Sequence, residues 1–455
     1  MAISFNSGVL KSSDISATTS DAGVGQRPDR RRIFNFGDRV AELVPEESPF
    51  FVYLNQVAKS PTDDPVFRYL ENRNRISFTD RSFKIKGAVG SVSAGSSYSF
   101  TVDTAGDAPV EYLVKGMVLA VGTKDDTDGY GQALVRVESG VSHTSNDSSF
   151  TGKIIDVSAV SDSNIISAED VAQIIGSSYE EGSGSPDVFS SEIEDDFGYT
   201  QIFKTAAEMT NTAYATRYRG YAEEWNRIWA TKLREHKIDI ERAMLFGQGG
   251  IVNGISYSDG IVGSIIKNSQ SQIKDNAQLD YTEDKSYFST RTDAQFTYDA
   301  LLADLEVVFD PARGGAGAKL ALCSLPVITF FNKMASSNTF LSSVHSAANP
   351  LMSQEKGSFG HKVVKVETIH GDLTLVKEPL FRGFAAGFMA MVDLDQVAYR
   401  PLIGNGVNRD THIMTNVQSA DEDLRKDMVL TEAGLEVSLP EAHALFNFES
   451  AYTAP

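Results

Sequence analysis

Sulfur cross-links are excluded first: 455 residues contain one cysteine, Cys323, so no disulfide within the chain and no cysteine-rich metal site can form. Its setting, the apolar run KLALCSL, reads as a buried core thiol with nothing beside it to lower its pKa. Histidine is sparse, at positions 143, 236, 345, 361, 370, 412 and 443. No two have the helical spacing of a metal pair, and none adjoins a Ser or Cys nucleophile. Positive charge is also short: 41 Lys and Arg against 61 Asp and Glu leave a net −20. That balance opposes tight wrapping of nucleic acid by counterion release. It would suit a wall around DNA, where repulsion keeps the polymer mobile. No stretch approaches the roughly 18 apolar residues of a membrane span; the best, Phe384–Val392, is half that. The start, MAISFNSGVLKSSD, lacks the basic region and apolar core of a signal peptide. The chain is therefore expected to work where it is made, or in whatever is assembled there.

Two loops imitate functional motifs. Gly314-Gly315-Ala316-Gly317-Ala318-Lys319 has the wrong spacing for a phosphate loop, no Ser or Thr after the lysine, and a strand rather than a helix behind it. Lys124–Gly129 resembles a calcium loop, but its first ligand position is Lys124 and its twelfth is Val135. Both read as turns. No catalytic, cofactor-binding or metal-binding residue is assigned, and an enzyme is not expected.

What the chain does have is length and one long helix. A 455-residue chain with 41% hydrophobic content can hold two or three domains and a sizeable core. In Phe197–Gly247 an extended Thr/Tyr-rich segment runs straight into a helix of roughly 27 residues, about 40 Å long. Tyr221, Trp225, Ile228, Trp229, Leu233, Ile240, Ala243 and Met244 form its apolar stripe at three- and four-residue spacing. Glu223 and Glu224 sit in its first turn, and Gly247 is expected to supply a left-handed stop.

Around that helix the composition shifts repeatedly. Residues 1–32 are rich in Ser, Asp, Gly and Thr and end in Arg27, Arg30, Arg31 and Arg32. They read either as an arm that orders against a partner or as a plain tail. Short helices are expected at Asp38–Leu43 and at Pro49–Val57, the second with proline in its first position. Phe67–Lys86 mixes aromatic with basic residues, among them Arg68, Arg73, Arg75, Arg81 and Lys84, for a net +4. A protein contact, a solvated strand and nucleic-acid binding all fit that pattern, and the acidity of the rest of the chain favours the first. Gly87–Ser190 holds short β-like runs between Gly/Asp/Ser turns, the pattern of a small barrel or sandwich. It carries ten Asp and five Glu against three Lys and one Arg, a net −11. An amphipathic helix over Phe296–Phe309, a buried strand over Lys319–Ser324 and a helix over Pro326–Ala335 follow. Lys362–Ile369 and Leu373–Val376 form a hairpin, Gly387–Ala398 reads as one core strand, and Met428–Phe446 as returning strands. This mixed order implies an α+β fold.

GSSYEEGSGSPD, FGYTQIFKTAAEMT and EEWNRIWATKLREHKIDIERAMLFG, in this order of arms, β insert, long helix and α+β remainder, resemble tailed-bacteriophage major capsid proteins of the Hong Kong 97 type, in the subfamily with a β-domain inside the extended loop. The resemblance implies an N-terminal arm (1–37), short joining helices (38–59) and extended-loop arms (60–86 and 191–218) around an inserted β-domain (87–190). It further implies a peripheral-domain spine helix (219–249), an axial domain (250–415) and C-terminal strands of the peripheral domain (416–455). The implied role is a capsid subunit that assembles into hexamers and pentamers around a double-stranded DNA genome touched only non-specifically. Implied partners are a portal protein, a separate scaffolding protein and a decoration or cement protein. The implied location is the virion, assembled in the host cytoplasm, with no membrane and no cofactor. Arg68, Arg73, Arg75, Arg81 and Lys84 are the expected inter-subunit contacts, and the insert, with Asp125, Asp126 and Asp128, is expected outside. An encapsulin-like shell and a tail or adhesin protein are the competing readings.

Overall fold

A computed structural model of the protein describes residues 49–57, 59–72, 82–103, 113–125, 129–139, 142–144, 147–158, 166–168, 170–188, 192–218, 223–270, 285–292, 298–314, 317–336, 352–356 and 362–449. The N-terminal arm and the helix expected at Asp38–Leu43 lie outside them. Pro49 opens α1 (Pro49–Val57), where its fixed φ and missing N–H suit the first turn. Phe50, Phe51, Tyr53 and Leu54 then bury in the main core.

Strands β1 (Val66–Glu71), β2 (Ser82–Lys84), β3 (Ser97–Asp103), β4 (Met117–Asp125), β5 (Gly129–Val137), β6 (Ser142–Thr144), β7 (Asp147–Asp156) and β8 (Val171–Ser177) follow. All but β1 join one antiparallel sheet in the order β2-β8-β4-β5-β7-β3, with β6 on β7. Ile85 bridges Val102, and the Lys86 amide donates to the Thr101 carbonyl at 2.8 Å. The two sheet edges therefore meet and the strands close into a barrel. Its interior is Phe83, Ile85, Phe100, Leu119, Val121, Val135, Phe150, Ile154 and neighbours, with Phe100 stacked on Phe150 at 5.2 Å. Gly152 is required there, because a Cβ would stand 2.4 Å from Val135 Cγ1.

Chain returns through β9 (Glu194–Tyr199), antiparallel to β1, and β10 (Gln201–Thr210). A short turn of helix, α2 (Asn211–Ala215), is capped by Thr210, whose hydroxyl accepts from the Ala213 amide at 3.3 Å. The long helix is α3 (Glu224–Phe246), 23 residues with Glu223 as N-cap, or about 35 Å. Residues 219–222, including the expected stripe member Tyr221, lie outside the described residues. Gly247 ends it differently from expectation. Its φ is −58°, not left-handed. Glycine is needed because a Cβ would meet the Ser258 carbonyl at 2.3 Å and the Ala243 carbonyl at 2.6 Å.

Beyond α3 come β11 (Gly250–Val252), β12 (Ile255–Tyr257), α4 (Ile261–Lys267), β13 (Tyr287–Arg291), α5 (Tyr298–Val308), β14 (Ala318–Cys323), α6 (Leu325–Ser336) and β15 (Met352–Lys356). The rest is β16 (Lys362–Glu367), β17 (Asp372–Lys377), β18 (Phe388–Val392), β19 (Val397–Pro401), β20 (Ile403–Gly404), β21 (Val407–Asn408), β22 (His412–Met414), β23 (Leu424–Val437) and β24 (Ala444–Phe448). The single strand expected over Gly387–Ala398 is two, β18 and β19. A 3₁₀ turn at Leu394–Gln396, capped by the Asp393 side chain, separates them.

Two sheets organise this body. One runs β13-β24-β18-β14-β17-β16-β15; the other runs β10-β23-β19 with β22 on β23. Strand pairing crosses residue 415: β19 and β22 pair with β23, while β24 sits between β13 and β18. Helices α1, α3 and α4 pack between the sheets around Leu245, Ile265, Leu322, Val392, Tyr399 and Leu435. On the other face of the seven-stranded sheet, α5 and α6 cover Ala321, Cys323, Leu375 and Met391. The architecture is α+β, with a barrel carried between β1 and β9.

Candidate inter-subunit surface

β1 and β9 form a two-stranded ribbon at the base of the barrel, and its two faces differ. On the inward face Phe67 is buried across two glycines: a Cβ on Gly198 would stand 2.5 Å from the ring, and one on Gly434 2.7 Å. The Arg400 guanidinium lies over the same ring at 5.7 Å. Next on that face, the Tyr69 hydroxyl donates to the Val437 carbonyl at 3.1 Å, and the Glu71 carboxylate accepts from the Leu439 amide at 2.7 Å. Burial, with Asp196 and Glu71 beside it, raises the Tyr69 pKa. Glu71 thereby holds Leu439 in a left-handed turn, φ 45°. On the outward face stand Arg68, Leu70 and Phe197, with Arg68 paired to Asp195 at 2.9 Å.

Of the five basic residues expected at a contact, Arg68 is thus an exposed ribbon residue engaged within its own chain. Lys84 is exposed on β2, at the barrel's edge. Arg73, Arg75 and Arg81 lie outside the described residues, as do Asp126 and Asp128.

The long helix is fastened to the β10/β23 sheet and to α1. His236 is buried and its ring bridges two hydroxyls, Thr205 Oγ1 at 2.9 Å and Thr431 Oγ1 at 2.8 Å, one from each neighbouring strand. Desolvation lowers its pKa, so it sits there neutral. One turn further, Glu241 accepts from the Phe50 amide at 2.9 Å and so caps α1 from the side. Burial, then the adjacent Glu378 carboxyl, raises the Glu241 pKa far above the ordinary carboxylate range; the protonated acid is the form that fits. These two polar positions were missed in the apolar stripe. Nothing in a single sequence separates His236 and Glu241 from the solvated charges around them.

Near the start of α3, Trp225 stacks on Trp229 at 6.3 Å. The Arg425 guanidinium lies 4.6 Å over Trp225 while pairing with Asp427. At the other end of the body, Lys319 is buried, donates to the Ala442 carbonyl at 2.5 Å, and has its pKa lowered to about 8 by desolvation. The lysine of the imitation phosphate loop is a packing residue. Cys323 is buried and its pKa raised by that burial. Among the described residues, no group of three His, Cys, Asp or Glu is placed to hold a metal ion. No helix among them is long and apolar enough to cross a membrane.

The family model described as SU10 major capsid protein matches residues 15–449, and the chain belongs to that family: it is a structural protein of a virus capsid. No curated protein matches the sequence. Among solved structures, the capsid of the Myoviridae phage XM1 is similar at 8% identity and TM-score 0.42, over 97% of this chain and 100% of that one. The capsid of a native GTA particle is similar at 9% and 0.42, over 92% and 95%. The holo-SrpI encapsulin complex from Synechococcus elongatus PCC 7942 is similar at 12% and 0.36, over 56% and 77%.

Proposed function

We propose that this chain is the shell-forming subunit of a tailed-phage head, assembling into hexamers and pentamers that enclose double-stranded DNA. In this reading residues 1–37 are the N-terminal arm, 38–59 join it to the body, and 60–86 with 191–218 are the two limbs of an extended loop. Residues 87–190 are an inserted domain facing outward, 219–249 the spine of the peripheral domain, 250–415 the axial domain, and 416–455 the returning strands. Arg73, Arg75 and Arg81, with Arg68 and Lys84, contact an acidic neighbour. The subunit is a building block without catalytic activity, made in the host cytoplasm and retained in the virion. Portal, scaffolding and cement proteins are its companions.

One observation carries the reading: the ribbon β1/β9 is anchored on a single face and offers the other. Identical subunits in a closed shell occupy slightly different environments, so contacts must be adaptable. A ribbon held along its inward face by Phe67, Tyr69 and Glu71 leaves its outward face to meet neighbours without disturbing the core. Net charge is compatible with a DNA-filled interior: −11 of the −20 lies in the outward-facing insert, and the remaining −9 (−20 less −11) repels rather than binds the polymer.

Negative-stain imaging and sedimentation of the purified protein test the proposal. Shells or hexamers are expected; a compact monomer at high concentration overturns it. DNA in particles from infected cells separates a phage head from an encapsulin-like compartment.

A further inference from the structure

Beside the start of α3 lies a cleft of about 560 Å³, within the size range of small-ligand sites. Its walls come from three places. Tyr214 on α2 and Tyr218 beyond it form one side, Trp225 and Trp229 on α3 the second, and Arg425 and Asp427 on β23 the third. Tyr214 is 57% exposed and Tyr218 46%, so neither ring is packed away in the core. Four large aromatic side chains gathered around one opening mark a binding surface more than scattered surface residues do.

One half of the cleft already shows how it takes a cation. The Arg425 guanidinium lies 4.6 Å over the Trp225 ring, and its Nη2 pairs with Asp427 Oδ2 at 3.1 Å. Trp229 stacks on the same indole at 6.3 Å. The other half repeats the rings and the carboxylate without a guanidinium. Among the described residues Arg425 is the one cation lining the cleft, and it is committed to Asp427. Glu223 on the rim is exposed, and its carboxylate accepts from the Asn226 amide. Its neighbour Glu224 is paired with Arg227, whose Nε donates at 2.9 Å. Arg217, between Thr216 and Tyr218, does not line the cleft.

The ligand class follows from what each alternative would leave behind. An anion would meet Glu223 with no unpaired cation in the cleft to receive it. A purely apolar ligand would strip water from that carboxylate and replace none of the lost contacts. The positive end of α3 offsets about half a charge, which together with Arg227 still leaves the two glutamates negative on balance. A cation satisfies both walls, its charge against the carboxylate and its body against the rings. We propose that this cleft binds one organic cation, a guanidinium or alkylammonium group, held over Trp229, Tyr214 and Tyr218 with Glu223 as its counter-charge. The site lies in the body, away from the ribbon, and does not depend on the shell-subunit reading.

Trp225 and Trp229 are the chain's only tryptophans, so indole emission from the full-length protein reports on the cleft alone. Titration with Nα-acetyl-arginine amide should change that emission saturably, while Nα-acetyl-glutamine amide at equal concentration should not. Glu223→Gln keeps an acceptor for Asn226 and should weaken binding about threefold, the loss of one exposed charge pair. Trp229→Leu should weaken it about fivefold, read through Trp225. Methylguanidine is the second probe. If it binds more weakly than the arginine amide, the natural occupant is a side chain of another polypeptide; if it binds equally well, the occupant is a free small cation. Equal responses to the arginine and glutamine amides, or no saturable response to either cation, overturn the site. So does binding that Glu223→Gln leaves unchanged while circular dichroism shows both proteins equally folded.

Discussion

The barrel and the body bury different things. Within the barrel, residues 82–177, the core is aliphatic and aromatic throughout, and Asp170 is the one buried charged residue among the described ones. The body buries His236, Glu241, Lys319, Glu378, Asp393, Glu432 and His443 alongside its apolar core. These groups stand where separate elements meet: Glu241 between α1 and α3, His236 between α3, β10 and β23, Lys319 between β14 and the turn before β24. An apolar barrel needs only correct alternation to fold, and its stability should ignore pH near neutrality. A body riveted by buried polar groups gains directional joints and takes on pH dependence in return.

The largest expected effect tests whether the barrel is an independent unit. Phe100→Ala removes a fully buried ring stacked on Phe150, and should cost the barrel about 3–5 kcal/mol. Hydrogen exchange should then rise across residues 82–177 while α3 and β23 keep their protection. Equal loss of protection in α3 would show that the two regions fold as one.

Buried acids and bases of the body should tilt its stability in opposite directions. Glu241 has a folded pKa raised above its unfolded value of 4.5. Its contribution is fully present below that value and drains away as pH rises through neutrality, by at most about 1.4 kcal/mol per pH unit. Glu241→Gln keeps an acceptor for the Phe50 amide and removes the titration. Its thermal midpoint should therefore fall less steeply between pH 5 and pH 8, read by calorimetry. His443 works the other way. Burial, with Lys319 beside it, lowers its pKa to about 3 from 6.5. The stability tied to neutral His443 is present above pH 6.5 and lost as pH falls toward 3. His443→Gln should flatten that acid limb, with a slope change again no larger than about 1.4 kcal/mol per unit. Neither substitution should move the barrel's own transition. A matching shift there would remove the contrast between the regions.

Legibility follows the same line. The barrel strands were readable because alternation with Gly/Asp/Ser turns is a local signal: SYSFTVD is β3 to the residue. Pro49–Val57 and the hairpin of β16 and β17 were legible for equally local reasons. Closure of the barrel was not, since it depends on Ile85 meeting Val102. Nor was the place of β24, whose parallel pairing with β13 joins residues more than 150 apart. Gly247 read as a left-handed stop, yet its lack of a side chain serves the close approach of Ser258, a tertiary fact. Of the proposed contact surface, the sequence exposed the basic character of Phe67–Lys86. It did not reveal that Phe67 and Tyr69 anchor the ribbon while Arg68 and Leu70 face away, because the strand's two faces are both aromatic or charged.

That division of faces makes the smallest prediction the most discriminating one. Arg68 and Asp195 are 71% and 56% exposed, a pair held in solvent. Such a pair contributes less than about 1 kcal/mol, so Arg68→Ala should leave the thermal midpoint of the free subunit nearly unchanged. Phe67→Ala, one residue away on the inward face, should cost about 3–5 kcal/mol by emptying the space over Gly198 and Gly434. If the ribbon is a limb anchored on one side, particle yield should respond to both variants while subunit stability responds to Phe67→Ala alone. A stability loss for Arg68→Ala comparable to that of Phe67→Ala would mean that both faces are packed within the subunit, leaving the ribbon no free side with which to hold a neighbour.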